Sequence, residues 1–525
     1  MVRKLPPIKY ALSLAAALVT VVTWQQTSVP AEKIKFNFSL LGFKLQVEDL
    51  ATFAETGEVT DSLNYYFRYL PDKQTKQLRK FLNQSYDVDP VLVYRYSRTT
   101  VGIKMLQRIG EVIQLPGGLN GFYGLRAAVV QTAQSESGIN LIDFLQRFPT
   151  DIKLDVGKLL ELMKQVNRAQ EDTEEFIASL ATEPAKADND FSIRSQPGKY
   201  RARKQTIEFV DRQRDRRLTT DLYLPQNKTD KIPVIIVSNG LGAKRDRFEE
   251  LANFLTSHGF GVVIPDHPGS DRQRQKAFLK GLHKENFDAT DFIDRPLDIS
   301  YILDRLEVLN AQEFNSRLDL ERVGLFGYSI GGTTGLSLAG AEFDFAQLEQ
   351  DCDRPLNLLN ISILYQCRAL EISPPQRSLK DERIQAAYMF VPFGHSLFGD
   401  RPQDKISIPI MFQVVDSDFL TSLLAEQVPL FNSLNTESYM VISEKLPHSN
   451  VTLSKSAQSS QAKAAQVAKT YQNLLSLVFF QSYITEDAGS LANLNEPYLQ
   501  AIAEPPYNLH LLRNQEAVID EGVED

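Results

Sequence analysis

Apolar and polar positions along the chain fall into three regimes. Ile34, Phe36, Phe38 and Leu40 alternate with polar neighbours, and Phe43, Leu45 and Val47 alternate again after Leu41-Gly42. That period of two predicts a β-hairpin. From Glu48 to about Leu180 the period lengthens to that of a helix. Leu78, Phe81 and Leu82 share one face, and Val156, Leu159, Leu160, Met163 and Val166 share another. Breaks fall at Leu70-Pro71, Pro116-Gly117-Gly118 and Phe148-Pro149. Past residue 199 short β-rich runs alternate with helical patterns. Thr206–Val210 and Thr219–Leu224 predict an opening hairpin. Val234–Ser238, Gly261–Ile264, Val323–Phe326, Ala386–Val391, Ile410–Val415 and Tyr439–Ser443 predict further strands. Helical patterns at Phe248–Ser257, Leu297–Leu309, Ile330–Ala339 and Leu420–Phe431 lie between them. Strands alternating with helices imply a mainly parallel sheet covered on both faces, an α/β architecture behind a mostly helical N-terminal domain.

These regimes divide the chain. Residues 1–31 carry Arg3, Lys4 and Lys9, an apolar run from Tyr10 to Trp24, and Ser28-Val29-Pro30-Ala31 as a small-residue cleavage site. This is the pattern of a secretory signal peptide, with an uncleaved N-terminal anchor as the alternative. Residues 32–182 form the hairpin and helical domain. Residues 183–198 are polar and Pro-containing and read as a linker. Residues 199–485 form the α/β domain, and 486–525 a C-terminal tail. Residues 341–383 are an insertion placed to act as a lid.

One segment of the α/β region carries chemistry. Gly327-Tyr328-Ser329-Ile330-Gly331 is a G-x-S-x-G turn between the strand Val323–Phe326 and the helical run Ile330–Ala339. Strand, strained turn and helix together lift a serine hydroxyl above the end of a sheet, where it serves as a nucleophile. A serine needs a base, and the base needs an orienting carboxylate. In such sheets the chain order is Ser, Asp or Glu, then His. His448 follows the strand Tyr439–Ser443 and is the preferred base over His510. Asp418 follows the strand Ile410–Val415 and is the preferred acid, with Asp416 as the alternative. A capping role before the helical run at Leu420 is the plainer reading of either aspartate. An oxyanion needs two backbone N–H donors. Ile330, directly after the nucleophile, supplies one. Leu241, in Asn239-Gly240-Leu241-Gly242 after the strand Val234–Ser238, is the expected second.

Composition narrows the partners. The chain has 525 residues, 57 Lys and Arg against 66 Asp and Glu, and a formal charge of −9. With no evident basic groove, nucleic acid is not an expected partner. Six histidines and two cysteines show no paired metal-ligand spacing, and no Gly-rich phosphate loop is present, so neither a metal nor another cofactor is expected. His267 sits at a strand end, close enough to shape a pocket. His258, His283 and His395 read as structural or exposed. Cys352 and Cys367 lie within the insertion 341–383. In an exported chain they form a candidate disulfide, with two buried thiols as the equal alternative.

Ser238-Asn239-Gly240-Leu241-Gly242-Ala243, Leu255-Thr256-Ser257-His258-Gly259-Phe260 and Gly327-Tyr328-Ser329-Ile330-Gly331-Gly332 together resemble the α/β-hydrolases, and among them the platelet-activating-factor acetylhydrolase type, related to dienelactone hydrolases. The resemblance covers roughly residues 200–450. It implies a Ser329-Asp418-His448 triad, Leu241 and Ile330 as oxyanion donors, no cofactor, and short or oxidised acyl esters of phospholipids as substrates. Asn239 stands where that family usually has His, and Val415 where many relatives have Gly. Phe43–Leu50 and Asn120–Ala127 resemble an uncharacterised helical module that precedes such hydrolases in exported proteins of photosynthetic bacteria.

The expectation is therefore an exported, periplasmic or secreted serine esterase of lipase-like type. Its partner is a small-molecule or lipid ester, with peripheral membrane association through the helical half. A thioester, polyester or dienelactone hydrolase, and a non-catalytic envelope binding protein on the same fold, stay open as rivals.

Overall fold

The computed structural model describes residues 30–38, 41–68, 70–180, 196–355, 358–400, 403–448 and 459–514. Most of the expected signal segment and of the expected linker lies outside these residues. The described residues fall into two compact units. The first takes residues up to Pro90 together with Leu106–Leu159, and the second takes Val91–Met105 together with residues from Leu160 onward.

In the first unit the alternating residues form the expected hairpin of β1 (Lys33–Phe38) and β2 (Leu41–Gln46). Val47 departs from the expectation and opens the helix Val47–Thr56. β3 (Ser85–Tyr86) pairs with β5 (Ile139–Asn140), while β4 (Ile113–Gln114) and β6 (Ile152–Leu154) extend the hairpin into a four-stranded sheet. Strands of two or three residues carry too few positions to show a period, so the sequence pattern passes over them. Phe53, Leu63, Leu125, Ala128, Phe148 and Ile152 form the core of this unit.

The second unit is built on a nine-stranded sheet. Its strands are β7 (Ala202–Asp211), β8 (Arg216–Pro225), β9 (Ile232–Ser238), β10 (Gly261–Pro265), β11 (Leu318–Tyr328), β12 (Ile384–Phe390), β13 (Ile410–Val415), β14 (Ser438–Ser443) and β15 (Leu509–Arg513). Their order is β15-β14-β13-β12-β11-β9-β10-β8-β7. The six strands β9 to β14 run parallel, and β7, β8 and β15 are antiparallel additions at the edges. Successive residues of β9 face opposite cores. Val234 and Ile236 pack with Ile299, Ile302 and Leu306 of the helix Asp291–Glu313. Ile235 and Val237 pack with Leu251, Leu255, Leu475 and Phe479 on the other side. A strand covered on both faces reads as an unbroken apolar run, which is why these strands were legible.

Two expected boundaries change. Residues 91–105 and 160–180 do not stay with the helical domain. Phe176, Ile177 and Leu180 pack against the core of the second unit. Arg95 donates from Nε to the Phe278 carbonyl at 2.9 Å, and Thr100 donates its N–H to Glu285 at 3.0 Å. The region after residue 485 is also not simply a tail. β15 pairs with β14, and Leu509, Leu511 and Leu512 are buried. The helix Ser459–Tyr483, which covers one face of the sheet, was not anticipated.

The strand order reverses direction at β9, with β10 on one side and β11 on the other. A crevice opens at such a point outside the carboxyl ends of the strands.

Candidate active site

Ser329 sits at that crevice, between β11 and the helix Ile330–Ala339. Its backbone lies at φ 54° and ψ −120°. A non-glycine residue with positive φ is strained by about 1–3 kcal/mol and needs its surroundings to hold it. Here the Ser329 N–H donates to the Phe390 carbonyl at 3.0 Å, and Gly332 N–H donates back to the Ser329 carbonyl at 2.7 Å. Gly331 is dictated by closeness, since a Cβ there would stand 2.0 Å from the Ser238 carbonyl oxygen. The elbow helix thus packs directly on the end of β9.

The loop after β9 approaches the same serine. A Cβ on Gly240 would stand 2.6 Å from the Tyr328 ring and 3.6 Å from Ser329 Cβ. Leu241 follows in that loop. Ile330 is the first residue of its helix, so its N–H is among the four that a helix leaves without an internal acceptor.

Two strands beyond the elbow, β13 delivers Asp418, and β14 beside it delivers His448. His448 Nδ1 lies 2.5 Å from Asp418 Oδ2. With an ionised carboxylate as acceptor, the proton of this bond belongs on Nδ1, which leaves Nε2 as the basic nitrogen. The Asp418 side chain is 1% exposed and that of His448 14%. The carboxylate is held by neutral donors. Leu420 N–H reaches Oδ1 at 2.8 Å, Thr421 N–H reaches it at 3.2 Å, and the Thr421 hydroxyl donates to Oδ2 at 2.5 Å. Gln427 Nε2 in turn donates to the Thr421 hydroxyl at 2.7 Å. The capping reading of Asp418 is thus fulfilled by the same side chain that orients the histidine. Where one helix over Leu420–Phe431 was expected, a π-helical turn Leu423–Gln427 leads into Val428–Asn432.

Asp416 turns elsewhere. Its Oδ1 accepts the Lys445 N–H at 2.9 Å and so braces the turn before His448, and burial pushes its carboxyl above the usual range. His510 lies in β15, with Nε2 2.7 Å from Glu444. Tyr328, the neighbour of Ser329, meets His448 directly. The rings are 5.8 Å apart, and the Tyr328 hydroxyl donates to the His448 carbonyl at 3.3 Å. Thr421, Gln427 and Tyr328 were missed by the sequence reading. Tyr328 adjoins Ser329 and Thr421 lies three residues after Asp418, so these two carried a local signal.

The insertion 341–383 contains helices Phe345–Asp353 and Ser362–Gln366, and Cys352 and Cys367 are joined in a disulfide with Cα atoms 5.7 Å apart. It is tied to the acid loop. Ile361 N–H donates to the Phe419 carbonyl at 3.1 Å, and Ser362 N–H donates to that of Leu420 at 2.7 Å. The buried Glu426 carboxylate accepts from Asn360, Ser362 and Gln366 of the insertion and from the N–H groups of Gly394 and His395.

His267 is buried deeper than a pocket-lining residue. Nε2 lies 3.2 Å from Ser238 Oγ, and Nδ1 lies 3.1 Å from Asp298 Oδ2. Burial, with the Arg295 guanidinium nearby, lowers its pKa to about 4, so the ring is neutral at physiological pH. Among the described residues no group of three or more His, Cys, Asp or Glu side chains is arranged to hold a metal ion.

The sheet order, the elbow at its crevice and the paired Asp418 and His448 on the two following loops define an α/β-hydrolase fold. Comparison with known families agrees. Residues 233–344 match a family model described as alpha/beta hydrolase fold. Residues 30–155 match one described as alpha/beta hydrolase of unknown function (DUF1400), a range close to that of the first unit. No curated protein matches the chain. These matches support a hydrolase and are silent on its substrate.

Proposed function

We propose that this chain is an exported serine hydrolase that cleaves carboxylic esters of lipids or short-acyl phospholipids through an acyl-enzyme. The observation that carries the reading is the 2.5 Å pairing of His448 Nδ1 with a buried Asp418, on loops beside a serine at a strained elbow. Ser329 Oγ attacks the ester carbonyl while His448 Nε2 accepts its proton. The N–H groups of Leu241 and Ile330 stabilise the oxyanion. His448 then gives the proton to the leaving alcohol, and water resolves the acyl-enzyme by the same steps in reverse. Asp418 keeps the imidazole oriented and stabilises it when charged.

The lipid preference rests on the resemblance to platelet-activating-factor acetylhydrolases and on Phe419 and Leu420. These two apolar residues directly follow the acid and are 61% and 40% exposed. Export rests on the basic and apolar N-terminal pattern and on the disulfide, a bond typical of oxidising compartments. Among the described residues no helix is long and apolar enough to cross a membrane.

Purified protein assayed on p-nitrophenyl esters of graded acyl length and on matching thioesters tests the reading. Ser329→Ala is expected to lower ester turnover by at least about 10³-fold while the protein stays folded. Unchanged turnover in Ser329→Ala would refute it, and a preference for thioesters would reassign the substrate class.

A further inference from the structure

Arg295 is a charged side chain 1% exposed, on the second turn of the helix Asp291–Glu313. Burying a guanidinium is costly unless its donors are paired, so the partners it finds indicate what it holds. Nη1 donates to the carbonyl of Asn239 at 2.6 Å. Nε and Nη2 donate to the Ser270 hydroxyl at 2.8 and 2.6 Å, and that hydroxyl donates on to Asp291. The Ser270 carbonyl accepts the Gly242 N–H at 2.7 Å. One guanidinium therefore grips the first residue of the loop Asn239–Gly242 directly and the last through Ser270. The Leu241 N–H lies between these two fixed ends. The Asn239 carbonyl and the Gly240 N–H share one planar peptide. Fixing that carbonyl therefore fixes the plane that enters Gly240, beside Ser329.

Arg295 Nε also pairs with Asp291 Oδ2 at 3.5 Å, but charge balance alone does not account for its bond to the Asn239 carbonyl. Arg216 already makes two 2.7 Å bonds to Asp298 and approaches Asp291 at 3.3 Å. A group serving only as a counter-ion to Asp291 would have no need of a backbone carbonyl four residues before Ala243.

We propose that Arg295 is a positioning residue that clamps the loop Asn239–Gly242, at the Asn239 carbonyl by its own bond and at the Gly242 N–H through Ser270, so that the Leu241 N–H stays aimed at the developing oxyanion. The inference rests on the serine-hydrolase reading above. Its effect belongs to the transition state and not to substrate binding, because the oxyanion donor acts where charge develops.

The test uses the full chain with p-nitrophenyl acetate as substrate and phenylboronic acid as a tetrahedral mimic. Arg295→Lys keeps the buried charge but loses the planar fork. We expect kcat to fall roughly ten- to hundred-fold, with KM within about twofold and the inhibition constant of phenylboronic acid raised by a similar factor. If Arg295→Lys does not fold, Ser270→Ala is measured in the same way, since it removes the acceptor that orients the guanidinium. A folded variant with kcat within about twofold of wild type overturns the proposal, as does a loss confined to KM. Wild-type protein without Ser329-dependent turnover would remove the hydrolase reading and this inference with it. Ser329-dependent turnover with unaltered variants would remove this inference alone.

Discussion

The second unit contains two sets of serine, histidine and aspartate. Ser329, His448 and Asp418 stand on loops at the crevice. Ser238, His267 and Asp298 lie buried below the loop Asn239–Gly242. In both sets the histidine Nδ1 faces a carboxylate, at 2.5 Å for His448 and 3.1 Å for His267. What separates them is their surroundings. Asp298 is engaged by Arg216 through two bonds and approached by Arg214 at 3.0 Å, so cations share its charge. Arg295 adds positive charge near His267, and with burial holds that ring neutral to about pH 4. Such a ring is a weak base for a serine proton at neutral pH. Asp418 is held by N–H groups and a hydroxyl, all neutral, and its full charge remains for an imidazolium. Ser238 ends a regular strand and is fully buried, whereas Ser329 sits on a positive-φ turn and is partly exposed. On the proposed reading, the same three residue types make a base in one place and a rigid support in the other.

The contrast is broken most severely at the acids and serines. Asp418→Asn is expected to lower kcat by about 10⁴-fold, since the amide no longer fixes the tautomer. Ser238→Ala is expected to leave kcat within about threefold. Steady-state kinetics on one ester compares the two, and equal losses would erase the distinction.

His267 sharpens it through pH. Unfolded, its ring binds a proton below about pH 6.5, and folded only below about pH 4. Between these values the unfolded chain holds the extra proton, so the contribution of His267 to stability falls as pH falls. Wild type should therefore lose up to about 3 kcal/mol relative to His267→Gln between pH 6.5 and 4. Denaturant titrations at several pH values read this difference. A constant gap would show that His267 does not titrate as its surroundings require. Asp291, raised to about 6 by burial, runs in the opposite sense in both proteins and drops out of the comparison to first order.

The smallest effect is at Thr421. Thr421→Val removes the hydroxyl donor to Asp418 Oδ2 and should cost about tenfold in kcat with KM unchanged. An unaltered kcat would mean the backbone donors suffice.

The elbow was legible because strand, turn and helix are contiguous in the chain. The chain order of the motif pointed to His448, whose Nδ1 lies 2.5 Å from Asp418. Asp416 and Asp418 follow the same strand, and the pattern preferred Asp418 while leaving Asp416 as the alternative. The turn that aims one at His448 and the other at Lys445 N–H is set by backbone bonds that no spacing encodes. The second array was invisible for a related reason. Ser238, His267 and Asp298 come from three elements, and only Asp291, Arg295 and Asp298 share a helical spacing. β15 escaped because it lies beyond the helix Ser459–Tyr483 and has little alternation of its own.

The central claim is that Ser329 alone carries an activated hydroxyl. Labelling of the folded protein with a fluorescent fluorophosphonate, followed by peptide mapping, tests it most directly. Modification confined to Ser329, with Ser238 untouched, is the predicted result. A folded protein that takes no label, or takes it at Ser238, would contradict the account.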